Sequence, residues 1–139
     1  MRVDKLKAQL VRFGVVGVIN TSIDFGILNF LLLLSGRTDN EGLLLFNGVA
    51  FLCANLNSYF ANRTWTFAGY TNASLAEFGS FLCIAFFGLL FNSFVLWLLT
   101  SGLPPSFLTI NLAKAGATGV SMIWNFCGYR LLLTRQVAT

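Results

Sequence analysis

The chain has 139 residues, of which 56% are apolar and only 10% charged, with a net charge of +4 and no histidine. That balance excludes a water-soluble globular domain, and it removes the commonest general base and a common metal ligand. The basic residues form no stripe with interleaved aromatics, which excludes nucleic acid as a partner; they gather instead at the ends of apolar segments.

Residues 1–12 carry Arg2, Lys5, Lys7 and Arg12, with Val3, Leu6 and Leu10 on one helical face. This basic amphipathic segment reads either as a short helix on the membrane surface or as a tail that fixes orientation. Residues 13–34, FGVVGVINTSIDFGILNFLLLL, supply 22 residues and about 33 Å of helix, enough to cross the hydrocarbon core. The segment holds Asp24 and is followed by no small-residue cleavage pattern, so it is expected to be a span of the mature protein and not a signal peptide.

After the polar turn SGRTDNEG, residues 43–61 form a second span, closed by Asn62, Arg63, Trp65, Phe67 and Tyr70, whose aromatics suit an interfacial belt. A loop over residues 68–76 leads to an aromatic-rich third span at 78–99, and the turn SGLPPS breaks the helix before a fourth span at 107–133. In that last span Ala113, Ala117 and Ser121 repeat the small-xxx-small spacing that favours close helix packing, within the bundle or between protomers. Cys53, Cys83 and Cys127 fall inside apolar segments without CxxC pairing and read as small core residues.

The expected architecture is an all-α membrane protein with four transmembrane helices. Four basic residues precede the first span, Arg63 follows the second, and Arg130 and Arg135 lie near the C-terminus, against Arg37 alone in the opposite loops. Both termini are therefore expected to be cytoplasmic, and the sequons at Asn62 and Asn72 to be accidental. A weak internal echo pairs FANR at 60–63 with CGYR at 127–130, and Asn20-Thr21 with Asn92-Ser93. Either a two-hairpin duplication or shared membrane composition accounts for it.

Within a bilayer the informative side chains are those that cost most to insert, roughly 2.5–3.5 kcal/mol for a central Asp or Lys. Asp24 lies mid-way along the first span, and Lys114 about 8 Å to the outer side of the middle of the fourth. In one reading they pair with each other and fix helix register. In another, Lys114 binds the phosphate of a lipid-linked substrate while Asp24 tunes that charge or accepts a sugar hydroxyl. A proton-coupled role for Asp24 is a third.

Nine amides surround them, at Asn20, Asn29, Asn47, Asn55, Asn57, Asn62, Asn92, Asn111 and Asn125. Amides donate and accept together, as sugar hydroxyls require, and they also bond neighbouring helices. Arg63 and Arg130, at the cytoplasmic ends of the second and fourth spans, suit either positive-inside anchoring or the fork geometry that holds a phosphate.

The segment RFGVVGVINTSIDFGILNFLL at 12–32, the run NSYFANRTWTF at 57–67, Glu77-Phe78, and residues 111–130 with Lys114 and Trp124-Asn125-Phe126 together resemble the GtrA-like membrane proteins. The resemblance implies flippase-like translocation of a monosaccharide linked to undecaprenyl or a related polyprenyl phosphate, for glycosylation of surface polysaccharides. It points to Asn62, Arg63 and Phe67 after the second span and to Lys114 and Asn125 in the fourth, and Asn20 and Asp24 match its first-span pattern. It implies a bacterial or archaeal cytoplasmic membrane, partner glycosyltransferases of the same pathway, no cofactor and no catalytic residue. One departure is plain: the stretch FGSFLCIAFFGLL early in the third span lacks the basic residue expected there.

A bundle of four helices barely encloses a sugar, so the groove is expected to open laterally to membrane lipid or to lie at a homodimer interface. Two alternatives belong to other classes. One is a non-catalytic membrane subunit that anchors or stabilises a polyprenyl-phosphate glycosyltransferase; the other is a small proton-coupled multidrug exporter, which would use Asp24.

Overall fold

A computed structural model of the chain describes residues 2–68 and 74–135, without the side chains of Arg2, Val3, Leu6 and residues 133–135. The expectations for Arg2, Val3, Leu6, Tyr70, Asn72 and the Arg135 side chain thus lie outside the described residues.

The described residues form four long helices and no strand: α1 at Arg2–Ser35, α2 at Asn40–Ala61, α3 at Leu75–Thr100 and α4 at Phe107–Arg135. No break separates the basic segment from the first span; α1 runs through both. It stops at Gly36, whose φ of 66° is the left-handed conformation that closes a helix, with Gly36 N donating to Leu32 O at 2.9 Å. Asp39 then caps α2 by accepting from Gly42 N at 2.9 Å, and Arg37 grips the same carboxylate at 2.9 and 2.8 Å. Ser74 caps α3 by accepting from Glu77 N at 3.0 Å, the first half of a capping box. The second half is not made by a return to the cap, because the Glu77 carboxylate turns inward toward Tyr59. Gly102, at φ 82°, and Pro104-Pro105 turn the chain into α4, where Ser106 Oγ accepts from Thr109 N at 3.1 Å.

By length and composition α1, α2 with its extension, and α3 are able to cross a membrane. The helix α4 has 29 residues but is not among them: Lys114, Arg130 and its run of Ala, Gly, Ser, Thr and Asn dilute its apolar character. Large apolar side chains such as Phe30, Leu33, Leu45, Phe86, Leu108 and Ile123 point outward, as a lipid solvent allows. Cys53, Cys83 and Cys127 are also exposed and unpaired, which corrects their reading as core residues: each falls on an outward face of its helix.

Packing joins α1 to α2 and α3 to α4 as two hairpins linked through α2 and α3, while α1 and α4 touch only thinly. Ala113, Ala117 and Ser121 are all buried, so that face of small residues serves packing within the bundle. Toward the 36–39 and 101–106 turns the core is aliphatic, with Leu28, Leu32, Leu43, Leu96 and Ile110. Toward the termini it is aromatic, with Tyr59, Phe67, Phe81 and Tyr129. A polar layer lies between the two.

Candidate functional site: a polar cleft between two helices

The polar layer ties all four helices together. Lys114 Nζ, wholly buried on α4, donates to Asp24 Oδ2 on α1 at 2.7 Å and to Asn47 Oδ1 on α2 at 2.6 Å. Asn47 Nδ2 donates to Asn92 Oδ1 at 3.0 Å and to Ser93 Oγ at 3.2 Å on α3, and Asn92 Nδ2 donates to Ser121 Oγ on α4 at 3.2 Å. An ion pair sealed in this way survives only because hydrogen bonds complete its coordination; deleting one member strands a charge at a cost of about 3–5 kcal/mol. The long Lys stem brings the ammonium to the Asp24 carboxylate from the other helix.

Beneath this layer, toward the termini, lies an open cleft whose empty space, counted out into the open side, is about 490 Å³. Its walls are α1, through Phe13, Gly17, Asn20, Thr21 and Asp24, and α4, through Thr118, Ser121, Met122, Asn125 and Tyr129. Phe51, Ala54, Asn55 and Ser58 of α2, with Asn62, form the back, and α3 contributes nothing. Helix spacing explains the wall: Ala54, Ser58 and Asn62 follow one another at i+4, as do Asn125 and Tyr129, so each set shares a face.

Across the thin α1–α4 seam the Phe13 and Phe126 rings meet edge to face at 4.8 Å. Deeper in, Gly17 admits Met122 Cε, which would lie 3.1 Å from any Cβ added there.

Among the residues that line the cleft, Asp24 Oδ1, Asn62 Oδ1 and Thr118 Oγ1 are buried oxygens with no partner. A fourth unpartnered oxygen, Asn125 Oδ1, packs against Gly88 of α3, where a Cβ would come within 2.7 Å. Unpartnered buried oxygens cost about 1–3 kcal/mol each, and among the described residues the cleft lining holds four of the six, the others being Thr66 Oγ1 and Glu77 Oε2.

Of the side chains singled out from sequence, Asn20, Asp24, Asn62 and Asn125 line the cleft, and Lys114 lies behind Asp24. Lys114 is closed off from any phosphate in this conformation: it is wholly buried, and Asp24 and Asn47 hold its ammonium. Arg63, Phe67 and Arg130 do not line the cleft. Arg63 belongs to a π-helical turn, Asn62–Thr66, that extends α2 beyond the expected end of the second span. There it donates to Tyr59 OH at 3.1 Å and lies 3.9 Å from Glu77 Oε1, an acidic partner not anticipated from sequence. Phe67 is buried in the aromatic core, and together with Arg130, Gln9, Leu10 and Phe126 it lines a separate shallow hollow.

The nine amides each hydrogen-bond within the protein. Asn29 pairs with Asn111, Asn57 donates to Asn20, Asn47 to Asn92, Asn125 to Asn55, and Asn62 to Ser58. Helix bonding therefore accounts for much of the amide content, and the cleft draws on a subset. Ser58, Thr118 and Tyr129 were missed from sequence and Asn55 was counted only among the amides, although Ser58 lies at i+4 to Asn62, Tyr129 at i+4 to Asn125, and Asn55 and Thr118 at i+7 to Asn62 and Asn125, spacings that group them on one face. Tyr129 OH donates to Asn55 Oδ1 at 2.9 Å and so braces α4 against α2 at the back of the cleft. Among the described residues no cluster of metal-ligating side chains exists.

A family model described as GtrA/DPMS, transmembrane domain, matches residues 12–134. The chain belongs to the GtrA/DPMS transmembrane-domain family. No curated protein and no solved structure matches it. The matched range of this GtrA/DPMS domain takes in every residue that lines the cleft and the whole polar layer above it.

Proposed function

We propose that this GtrA/DPMS domain translocates a polyprenyl-phosphate-linked monosaccharide across a bacterial or archaeal cytoplasmic membrane, for glycosylation of cell-surface polysaccharide. The observation that carries the reading is the cleft: hydrogen-bonding side chains line an open recess between two thinly packed helices, in a chain otherwise clothed in apolar side chains. A hydrated sugar has no stable position in hydrocarbon, and a polar recess reached sideways through the α1–α4 seam lets the head group enter while the prenyl chain stays in lipid. In this reading α4 is the fourth span, its Lys114 made tolerable by Asp24 and Asn47. Both termini are cytoplasmic, as the basic residues around the cleft end of the bundle favour. The cleft then receives its substrate from the cytoplasmic leaflet.

Lys114 works through Asp24, which it holds by Oδ2 while Oδ1 stays without a partner. Asn20, Asn62 and Asn125 supply amide contacts from three sides. Arg63, Phe67 and Arg130 lie around the mouth end of the bundle, where a phosphate left outside the cleft would be met. No step breaks or makes a covalent bond, so the protein acts as a carrier and not as an enzyme.

The test uses proteoliposomes carrying a polyprenyl-phosphate sugar and an impermeant probe of outer-leaflet exposure. Exposure faster than in empty liposomes is expected; equal rates contradict the proposal.

The description of the family as a transmembrane domain favours one second reading, a non-catalytic subunit that anchors or stabilises a polyprenyl-phosphate glycosyltransferase. Loss of such a subunit lowers synthesis of the lipid-linked sugar, whereas loss of a flippase leaves synthesis intact and blocks arrival at the outer face. The exporter reading is disfavoured by the Lys114 ammonium bound to Asp24, which occupies the carboxylate that a proton and a cationic drug would exchange on.

A further inference from the structure

The cleft is selective in chemistry as well as in shape. Among the residues that line it there is no Lys or Arg. The nearest ammonium, on Lys114, is wholly buried and donates to Asp24 and Asn47. The polar atoms that remain buried and unpartnered on lining residues, Asp24 Oδ1, Asn62 Oδ1, Thr118 Oγ1 and Asn125 Oδ1, are all oxygens; the first three belong to residues more than nine-tenths buried, and the fourth packs against Gly88. The Asp24 carboxylate oxygen and the two amide oxygens accept only, and the Thr118 hydroxyl either accepts or donates. Asn62 Nδ2 donates one hydrogen to Ser58 Oγ at 2.9 Å and Asn125 Nδ2 one to Asn55 Oδ1 at 3.3 Å, so the amides that line the cleft bring dipoles and no positive charge.

We infer that the cleft is a binding site for an uncharged polyhydroxyl head group, recognised through donation of its hydroxyl hydrogens to Asp24, Asn62 and Thr118, and that it rejects carboxylated sugars and leaves the phosphate outside. The inference rests on the translocation reading and deepens it, since it specifies which part of the lipid-linked sugar occupies the cleft. The physical reason is an asymmetry. A sugar hydroxyl satisfies an orphaned oxygen and removes its burial cost, whereas a carboxylate brings a second negative charge beside Asp24 with no free cation to answer it.

Purified full-length protein in detergent is titrated calorimetrically with three probes: a water-soluble short-chain polyprenyl phosphoglucose, its glucuronic acid analogue, and the short-chain polyprenyl phosphate with no sugar. The glucosyl probe is expected to bind about tenfold or more tighter than the glucuronosyl probe. Thr118→Val, which removes one oxygen and keeps the side-chain shape, is expected to weaken glucosyl binding about three- to tenfold and to leave binding of the sugar-free phosphate unchanged. Equal or tighter binding of the glucuronosyl probe, no measurable binding of either sugar, or unaltered glucosyl affinity in Thr118→Val overturns the inference. The translocation reading fails separately: selective glucosyl binding in detergent without exposure in proteoliposomes keeps the binding site and removes the transport.

Discussion

Asn29 and Asn111 hydrogen-bond each other reciprocally, each Nδ2 donating to the other's Oδ1 at 2.8 Å, and so tie α1 to α4 at the end of their seam opposite the Phe13–Phe126 ring contact. Between those two fastenings come the Asp24–Lys114 ion pair and then the cleft. The seam is polar toward the 36–39 turn, and below the cleft, toward the termini, it includes an edge-on ring pair and a Met against a Gly.

The ion pair is expected to behave as a unit in stability. Lys114→Met leaves Asp24 buried without its counter-charge and should lower unfolding stability by about 3–5 kcal/mol, as should Asp24→Asn alone to a lesser degree. The double variant should recover most of the loss, because it removes the charge from both sides. Thermal unfolding in detergent with a double-mutant cycle reads this directly; losses that simply add would mean the two groups are not coupled.

Two glycines of α3 distinguish packing around the cleft from helix propensity. At Gly88 an added Cβ would come within 2.7 Å of Asn125 Oδ1 and 3.3 Å of Phe51, so Gly88→Ala should cost about 1–3 kcal/mol and displace Asn125. At Gly79 no atom lies within 4 Å, and Gly79→Ala should stabilise by about 0.5–1 kcal/mol through helix propensity alone. Matched unfolding curves for the two variants would contradict this account of Gly88.

How much of this was legible in the sequence follows from what side-chain pattern encodes. The four helices and the importance of Asp24 and Lys114 could be read because hydropathy and the cost of buried charge are local properties. Partnership is not local. Arg63 was placed at the cleft end of α2, but the π-helical turn over Asn62–Thr66, which hydropathy does not reveal, turns its guanidinium to Tyr59 and Glu77. Glu77 itself carries the capping signature with Ser74, and that signature gives no sign that its carboxylate is buried. Likewise the abundance of Asn pointed to a polar interior without revealing that most of these amides bond one another.

Outside the spans, Asp39 couples pH to the start of α2. The Arg37 guanidinium, which donates to both carboxylate oxygens, holds the Asp39 carboxyl well below its ordinary range, with help from the Gly42 N–H. A lowered value in the folded state means the contact contributes fully above the ordinary carboxyl value of about 3.9, and its contribution is lost as pH falls through the lowered folded value. Asp39→Asn keeps a capping side chain but removes the titration, so its stability should fall less steeply than wild type below about pH 4. Identical acid limbs in the two unfolding-versus-pH profiles would contradict the assignment.

The claim that a head group passes through the α1–α4 cleft is tested most directly by fastening its mouth. In a background where Cys53, Cys83 and Cys127, all exposed, are replaced by Ser, Phe13→Cys and Phe126→Cys are joined by a short, reducible thiol cross-linker and exposure of a polyprenyl-phosphate sugar is followed in proteoliposomes. The account predicts that the joined protein falls to the rate of empty liposomes and that reduction restores transport; exposure by the joined protein at the rate of the unjoined one would contradict it.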